Sequence, residues 1–382
     1  MDKLIVAFLL FGVVYSYFIY PILASLLCLL IVKTNNPSIK HQKEILSVSI
    51  VVAVYNGVHE IEKKIQDLIS LRETFPLLEI IIASDCSDDG TDQICKKYAD
   101  QKAIKICRST RRNGKEAAQY TALNIAQGDI IVFSDVSVFI HKTSLWNMLA
   151  YFSNPDIGAV SSRDRLINNH GSYDMEGIYI KYEMWIRKVE SKLAGCVGMS
   201  GSFFAVRKEY CHPWRLNTCS DFNLAMNVAR AGSRSISAED SFGYYSNLKD
   251  TKDECKRRVR TVLKGMEGLY SNVDVLMLSS NPLFSFEVFS HKLMRWLSPW
   301  FFIVLFLYLM FMWDKNILNA SILIGQIVIL AIYMLSIFFT FLIKLRFFKV
   351  IIFFVSSNIS VFKAGFKFLK GDKVRVWEPS RR

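Results

Sequence analysis

The sequence predicts an α/β domain, its strands largely parallel, set between membrane helices at both ends of the chain. Three observations carry that prediction. Uncharged apolar runs at 4–32, 297–313, 316–343 and 350–362 bracket one polar block. Inside the block, β-branched runs alternate with amphipathic segments at the spacing of right-handed βαβ crossovers. The acids that stand out gather in loops that follow β-branched runs.

A helix needs about 20 apolar residues to cross the hydrocarbon core. Runs 4–32 and 316–343 exceed that length, 297–313 sits at its margin, and 350–362 is short enough to lie in the interface. The first run reads as a retained anchor, because Lys33, Thr34, Asn35 and Asn36 follow it where a signal peptide carries small residues. Lys33, Lys40 and Lys43 after it, with Lys292 and Arg295 before the second run, put the polar block in the cytoplasm. Lys344, Arg346, Lys349 and the basic tail point the same way. The net charge of +13 is accounted for by anionic headgroups, and no groove-reading motif or aromatic-interleaved basic patch supports a nucleic-acid partner. Eight cysteines without C-x-x-C or Cys/His spacing read as reduced thiols packed like small apolar residues.

The domain boundaries follow: an anchor at 4–32, the α/β domain at 45–280, an amphipathic interfacial helix at 283–296, a membrane region at 297–362 and a basic tail at 363–382. In the interfacial helix, Phe286, Phe289, Leu293 and Trp296 are expected to face lipid, and Lys292 and Arg295 to face headgroups.

Within the domain, the run 45–54 predicts the first strand, closed by Tyr55, Asn56 and Gly57. An amphipathic helix follows over 60–73, with Ile61, Ile65, Leu68 and Ile69 apolar and Pro76 beyond its end. Strand 79–83 leads into loop 84–91 and a helix over 92–99. A short strand at 103–107 precedes Gly114 and Lys115, which open a helix over 115–126. Gly128 and Asp129 then lead into strand 130–134. Ligands of such sheets bind at the carboxyl ends of the strands, where these acidic loops lie.

Each acid admits two readings. Asp85, Ser87 and Asp89 can hydrogen-bond a nucleotide or only their own loop. Asp135, with Ser137 two residues on, can hold a divalent cation or cap a turn. Asp221 precedes an expected helix at 224–230 and is an N-cap or a general base. No G-x-G-x-x-G follows the first strand, and Gly114-Lys115 lacks the rest of a P-loop, which disfavours dinucleotide oxidoreductases and ATPases.

In chain order stand V-A-V-Y-N, S-D-C-S-D-D-G-T, N-G-K-E-A-A, F-S-D-V-S, G-M-S-G-S-F-F-A-V-R, C-S-D-F-N-L-A-M-N-V-A-R-A-G and R-R-V-R-T, then S-H-K-L-M-R-W and W-E-P-S-R. This series resembles the family 2 inverting glycosyltransferases with a GT-A fold, in their membrane-embedded, polysaccharide-making branch. The resemblance implies that Val54, Tyr55 and Asn56 line a nucleobase pocket and that Asp85 reads the base, with Ser87 and Asp89 beside it. It implies that Lys115, Arg257 and Arg260 serve the nucleotide sugar. Asp135 resembles the first acid of a metal-binding D-x-D, with Ser137 in the place of the second, for Mg2+ or Mn2+. Asp221 resembles the catalytic base, with Ser220 replacing the acid before it. Thr261 stands where the family carries a tryptophan that stacks on the acceptor sugar.

The expectation is a membrane glycosyltransferase of the hexosyl- or N-acetylhexosaminyltransferase type. It would move a sugar from a nucleoside-diphosphate donor, a UDP-sugar, to a polysaccharide or lipid-linked acceptor at the cytoplasmic face of the lipid bilayer. Two other readings compete: a degenerate homologue that binds nucleotide sugar as a subunit or sensor, and a transporter with a nucleotide domain. The few spans and the lack of ionisable residues inside them disfavour the transporter.

Overall fold

The computed structural model describes residues 2–31, 47–167, 175–246, 251–339, 341–342 and 345–374. Lys33, Lys40, Lys43, Lys344, Arg375, Arg381, Arg382 and the W-E-P-S-R motif lie outside them.

The strand β1 (Val48–Val54) is buried at every position, so both its faces are covered. That is why its sequence is continuously apolar instead of alternating. It pairs in parallel with β2 (Leu78–Ser84) and β4 (Ile130–Asp135), and β2 pairs in parallel with β3 (Lys105–Arg108). Ile50, Val52 and Val54 pack with Ile61, Ile65 and Leu68 of the helix Val58–Ser70. Each of those three helix residues is fully buried, worth about 1.5–3 kcal/mol relative to exposure. Val51 and Ala53 point to the other face, against Ala118 and Ala122 of the helix Lys115–Leu123 and Leu224 of the helix Ser220–Arg230.

The rest of the sheet is formed by β5 (Phe139–Ile140), β6 (Ile157–Ile167), β7 (Phe203–Arg207) and β8 (Arg234–Ser246). β7 lies antiparallel to both β4 and β6, β6 pairs in parallel with β8, and β5 runs antiparallel to β8. The eight-stranded order is β3-β2-β1-β4-β7-β6-β8-β5. The four parallel strands match the sequence expectation; β7 is the reversal that brings a loop back over the end of β4.

Among the described residues, four helices are long and apolar enough to cross a membrane: Asp2–Ile31, Pro282–Met312, Ile317–Phe338 and Phe347–Leu369. The first and second pack together through Val6, Leu9, Val13, Leu305 and Leu309. The fourth corrects the reading of 350–362 as too short: the helix runs Arg346–Leu369, beyond the uncharged run at both ends. The stretch 283–296 is likewise not a separate surface helix, but the first part of the second long helix. A π turn at Val288–Leu293 interrupts it. One extra residue in a turn rotates the following face by about 100°. Arg295 is therefore buried and ion-paired with Glu183 instead of facing headgroups, and Leu293 and Trp296 pack against a protein core with Phe284 and Met226.

Candidate active site

The carboxyl ends of β1, β2 and β4 lie side by side at one edge of the sheet, and the backbone fixes the acids there. Asp85, buried at the end of β2, accepts hydrogen bonds from the amides of Asn113 at 2.9 Å and Gly114 at 2.8 Å. Gly114 has φ 93°, a conformation that side chains rarely adopt, and it lets two successive amides face one carboxylate. Asp85 thereby anchors the loop from which Lys115 starts its helix.

Val54 contributes backbone, since its side chain is in the core and its carbonyl accepts from the Asp85 amide at 2.8 Å. Tyr55 lies beneath the Arg112 guanidinium, 3.8 Å from ring centroid to Cζ. Asn56, at φ 49°, locks the two loops together. Its side chain donates to Asp88 and accepts from the Asp88 amide, and its amide donates to Ser87 Oγ. Asp89 accepts from the Val58 and Thr91 amides at 3.0 Å and from Thr91 Oγ1 at 2.5 Å. Ser87, Asp89 and both oxygens of Asp85 are therefore held by the loops themselves, and Tyr55 with its Arg112 partner stands beside them.

Lys115 donates to Asp135 Oδ1 at 2.5 Å and to the Gly201 carbonyl at 2.9 Å. Burial alone would lower its pKa, but the Asp135 charge and hydrogen bond outweigh that and hold it raised. The Asp135 amide in turn donates to the Ser202 carbonyl at 2.9 Å. The loop before β7 thus lies over the end of β4. On its other side is Asp221: a Cβ on Gly201 would come within 3.4 Å of the Asp221 carboxylate. Burial pushes the Asp221 pKa up, while the cations Lys115, Arg187 and Lys292 pull it back only in part. A base with a raised pKa suits proton removal near neutral pH.

Arg257 and Arg260 lie on the helix Thr251–Tyr270, seven and four residues before Lys264, in the i, i+3, i+7 spacing of one face. Lys264 and Glu116 form a buried ion pair of 2.7 Å, which fastens this helix next to Lys115. Ser137 lies two residues beyond Asp135, partly exposed. Among the described residues no three His, Cys, Asp or Glu side chains gather as a metal cluster. Asp135 with Ser137 offers hard oxygen donors that fit a cation sharing its coordination with a diphosphate.

Sequence reasoning missed several contributors. Lys64 donates to Ser134 Oγ at 2.8 Å and to the Val138 carbonyl, and burial lowers its pKa to about 7 despite Asp135 and Asp67. Arg112, Glu116, Arg187 and Gly201 were also not singled out. Only Gly201 had a signal, as the second glycine of G-M-S-G-S. The others are ordinary polar positions on helices or loops until the fold gathers them.

Residues 49–212 match the family model described as "Glycosyl transferase family 2". The chain is 27% identical over 128 residues to the poly(ribitol-phosphate) beta-N-acetylglucosaminyltransferase TarS of Staphylococcus aureus, covering 32% of this chain and 22% of that protein. It is 31% identical over 110 residues to the UDP-Glc:alpha-D-GlcNAc-diphosphoundecaprenol beta-1,3-glucosyltransferase WfaP of Escherichia coli, covering 29% of this chain and 43% of that protein. The matches thus span less than half the length of these relatives. Among solved structures, the fold is similar to the mannosyltransferase PcManGT of Pyrobaculum calidifontis in complex with GDP-Man and Mn2+. The TM-score is 0.73 at 19% identity, covering 98% of this chain and 100% of that chain.

Proposed function

We propose that residues 49–212, which match the glycosyl transferase family 2 model on a sheet similar in fold to a solved mannosyltransferase, are the catalytic domain of a membrane glycosyltransferase. It moves a sugar from a nucleoside-diphosphate donor, a UDP-sugar, to a hydroxyl of a polysaccharide or lipid-linked acceptor, with inversion. The observation that carries this reading is the double contact of Gly201. Its carbonyl accepts from Lys115, and its Cα lies against the Asp221 carboxylate. A donor diphosphate drawn to Lys115 would bring the anomeric carbon within reach of a hydroxyl activated by Asp221.

Tyr55 and Asp85 frame the base, and Arg257 and Arg260 extend the positive face that begins at Lys115. Asp135 and Ser137 would hold a Mg2+ or Mn2+ ion, which neutralises diphosphate charge when bound. Asp221 takes the proton of the acceptor hydroxyl as that oxygen attacks, and Lys115 favours the developing negative charge of the leaving group. The four apolar helices support a multi-pass membrane protein, with the catalytic domain on the cytoplasmic side.

One observation favours a second reading, a subunit that binds nucleotide sugar without turnover: Lys115 already occupies Asp135, and serines replace two family acids. The test is nucleoside-diphosphate release by the purified protein with UDP-, GDP- and dTDP-sugars, beside Asp221→Asn. Metal-dependent release lost in the variant supports the enzyme. Tight donor binding without release, even with membrane extract as acceptor, supports the subunit.

A further inference from the structure

Among the described residues, two cations beside Asp221 form no ion pair, although the Asp164 and Glu183 charges act on one and the Glu183 and Glu190 charges on the other. Arg187 lies on the helix Met175–Leu193, and Lys292 in the π turn that interrupts the second membrane helix. A Cβ on Gly198 would lie 3.6 Å from Lys292 Nζ, as one on Gly201 would lie 3.4 Å from Asp221 Cγ. Three residues of chain span at most about 11 Å, so the ammonium and the carboxylate flank one tight loop. Both Arg187 and Lys292 act on the Asp221 charge.

The carboxylates near them are committed elsewhere. Glu183 accepts from Arg295 and lies 3.4 Å from His291 Nε2. Glu190 accepts from Tyr20 at 2.8 Å and meets His291 Nδ1 at 2.5 Å. Asp164 accepts from Ser200 at 2.6 Å and Ser202 at 2.8 Å. Among the described residues neither Arg187 nor Lys292 forms an ion pair, and Arg187 Nη1 is buried without a hydrogen-bond partner. Half-buried, unpaired cations are costly unless a ligand brings the opposite charge.

We infer that Arg187 and Lys292 bind a phosphate or diphosphate carried by the acceptor, at the membrane face beside Asp221. This rests on the transferase reading and names the acceptor chemistry of the same site. The donor diphosphate belongs with Lys115 and Asp135, at the Gly201 end of the loop; Lys292 stands at the Gly198 end. A guanidinium fork with an ammonium matches a tetrahedral oxyanion. The acceptor is membrane-borne. Beyond Lys292, Pro299, Ile303 and Phe306 stand four and three residues apart on the helix Met294–Met312, the spacing of one face. They help to line an apolar cavity of about 250 Å³ between the membrane helices.

The test is equilibrium binding to the full-length protein of farnesyl diphosphate, farnesol and inorganic pyrophosphate, with UDP and Mg2+ as the donor-side control. Farnesyl diphosphate is expected to bind at least tenfold more tightly than farnesol. Lys292→Gln and Arg187→Gln should each lose that preference, leave UDP binding unchanged and keep the melting midpoint, while Lys292→Arg retains it. Equal binding by wild type and both glutamine variants overturns the site, as does joint loss of UDP binding. Pyrophosphate competing as well as the farnesyl compound overturns the lipid source and upholds the anion site. Turnover that survives Asp221→Asn would sink the base assignment alone, since these binding results do not depend on it.

Discussion

Lys115 Nζ lies 2.5 Å from Asp135 Oδ1, so one ammonium holds the carboxylate that a divalent cation would use. The two cations therefore compete unless Lys115 turns toward a donor phosphate. Lys115→Met is expected to lower kcat/KM about 100-fold, the usual loss of one charged stabilising group. At the same time the Mg2+ or Mn2+ concentration for half-maximal activity should fall, because Asp135 is freed. Metal titrations of both proteins decide it: an unchanged or raised half-activation concentration removes the competition.

Asp221 titrates above the ordinary carboxylate range because burial outweighs its neighbouring cations. The acid limb of the kcat/KM profile should therefore lie above that range. The sign for stability is the opposite of a salt-bridged acid. Between the unfolded and folded pKa values the folded state binds more protons, so stability falls as pH rises through that window. Asp221→Asn is expected to lose about 10²–10⁴-fold in turnover and to melt at the same temperature or higher at neutral pH. A clear drop in its melting midpoint would mean that Asp221 is a structural cap.

The Glu116–Lys264 pair is buried on both sides, with 7% of each side chain exposed, and ties the helix Thr251–Tyr270 to the helix of Lys115. Removing one partner of such a pair costs about 3–5 kcal/mol, because the other charge is left buried alone. Glu116→Gln and Lys264→Met should each lower the melting midpoint strongly, and the double variant should recover most of the loss. If the losses of the single variants simply add in the double, the two residues do not act as a pair.

The parallel half of the sheet was legible because β1, β2 and β4 are short apolar runs with Gly and Asn turns at their ends. The placement of Asp85 and Asp135 at the ends of β2 and β4 was legible, whereas Asp221 lies in the first turn of the helix Ser220–Arg230. Local pattern does not carry the rest. Ser87 and Asp89 look like ligands in sequence, and only the fold reveals that Asn56, Val58 and Thr91 claim them. The inward turn of Arg295 depends on a π turn and on Glu183, over a hundred residues away. Arg187 and Lys292 lie equally far apart in the chain, so no spacing rule could join them.

The helix Arg346–Leu369 is long enough to span and packs on other membrane helices through Tyr17–Phe354 and Trp300–Phe362, yet its contacts with the α/β domain predict that it lies along the membrane surface. Arg258 lies 4.6 Å over Phe353, Cys255 Sγ is 3.6 Å from Ser360 Oγ, and Tyr270 and Phe368 stack edge to face at 5.9 Å. These partners belong to the helix Thr251–Tyr270, which Lys264 fastens to the catalytic domain. A segment touched near both ends by one helix of the α/β domain has no length left to cross a core about 30 Å thick. In a cysteine-free background, Phe347→Cys and Asp372→Cys should both react with an impermeant maleimide from the cytoplasmic side. Labelling of the two from opposite sides would establish a fourth crossing and put the basic tail outside.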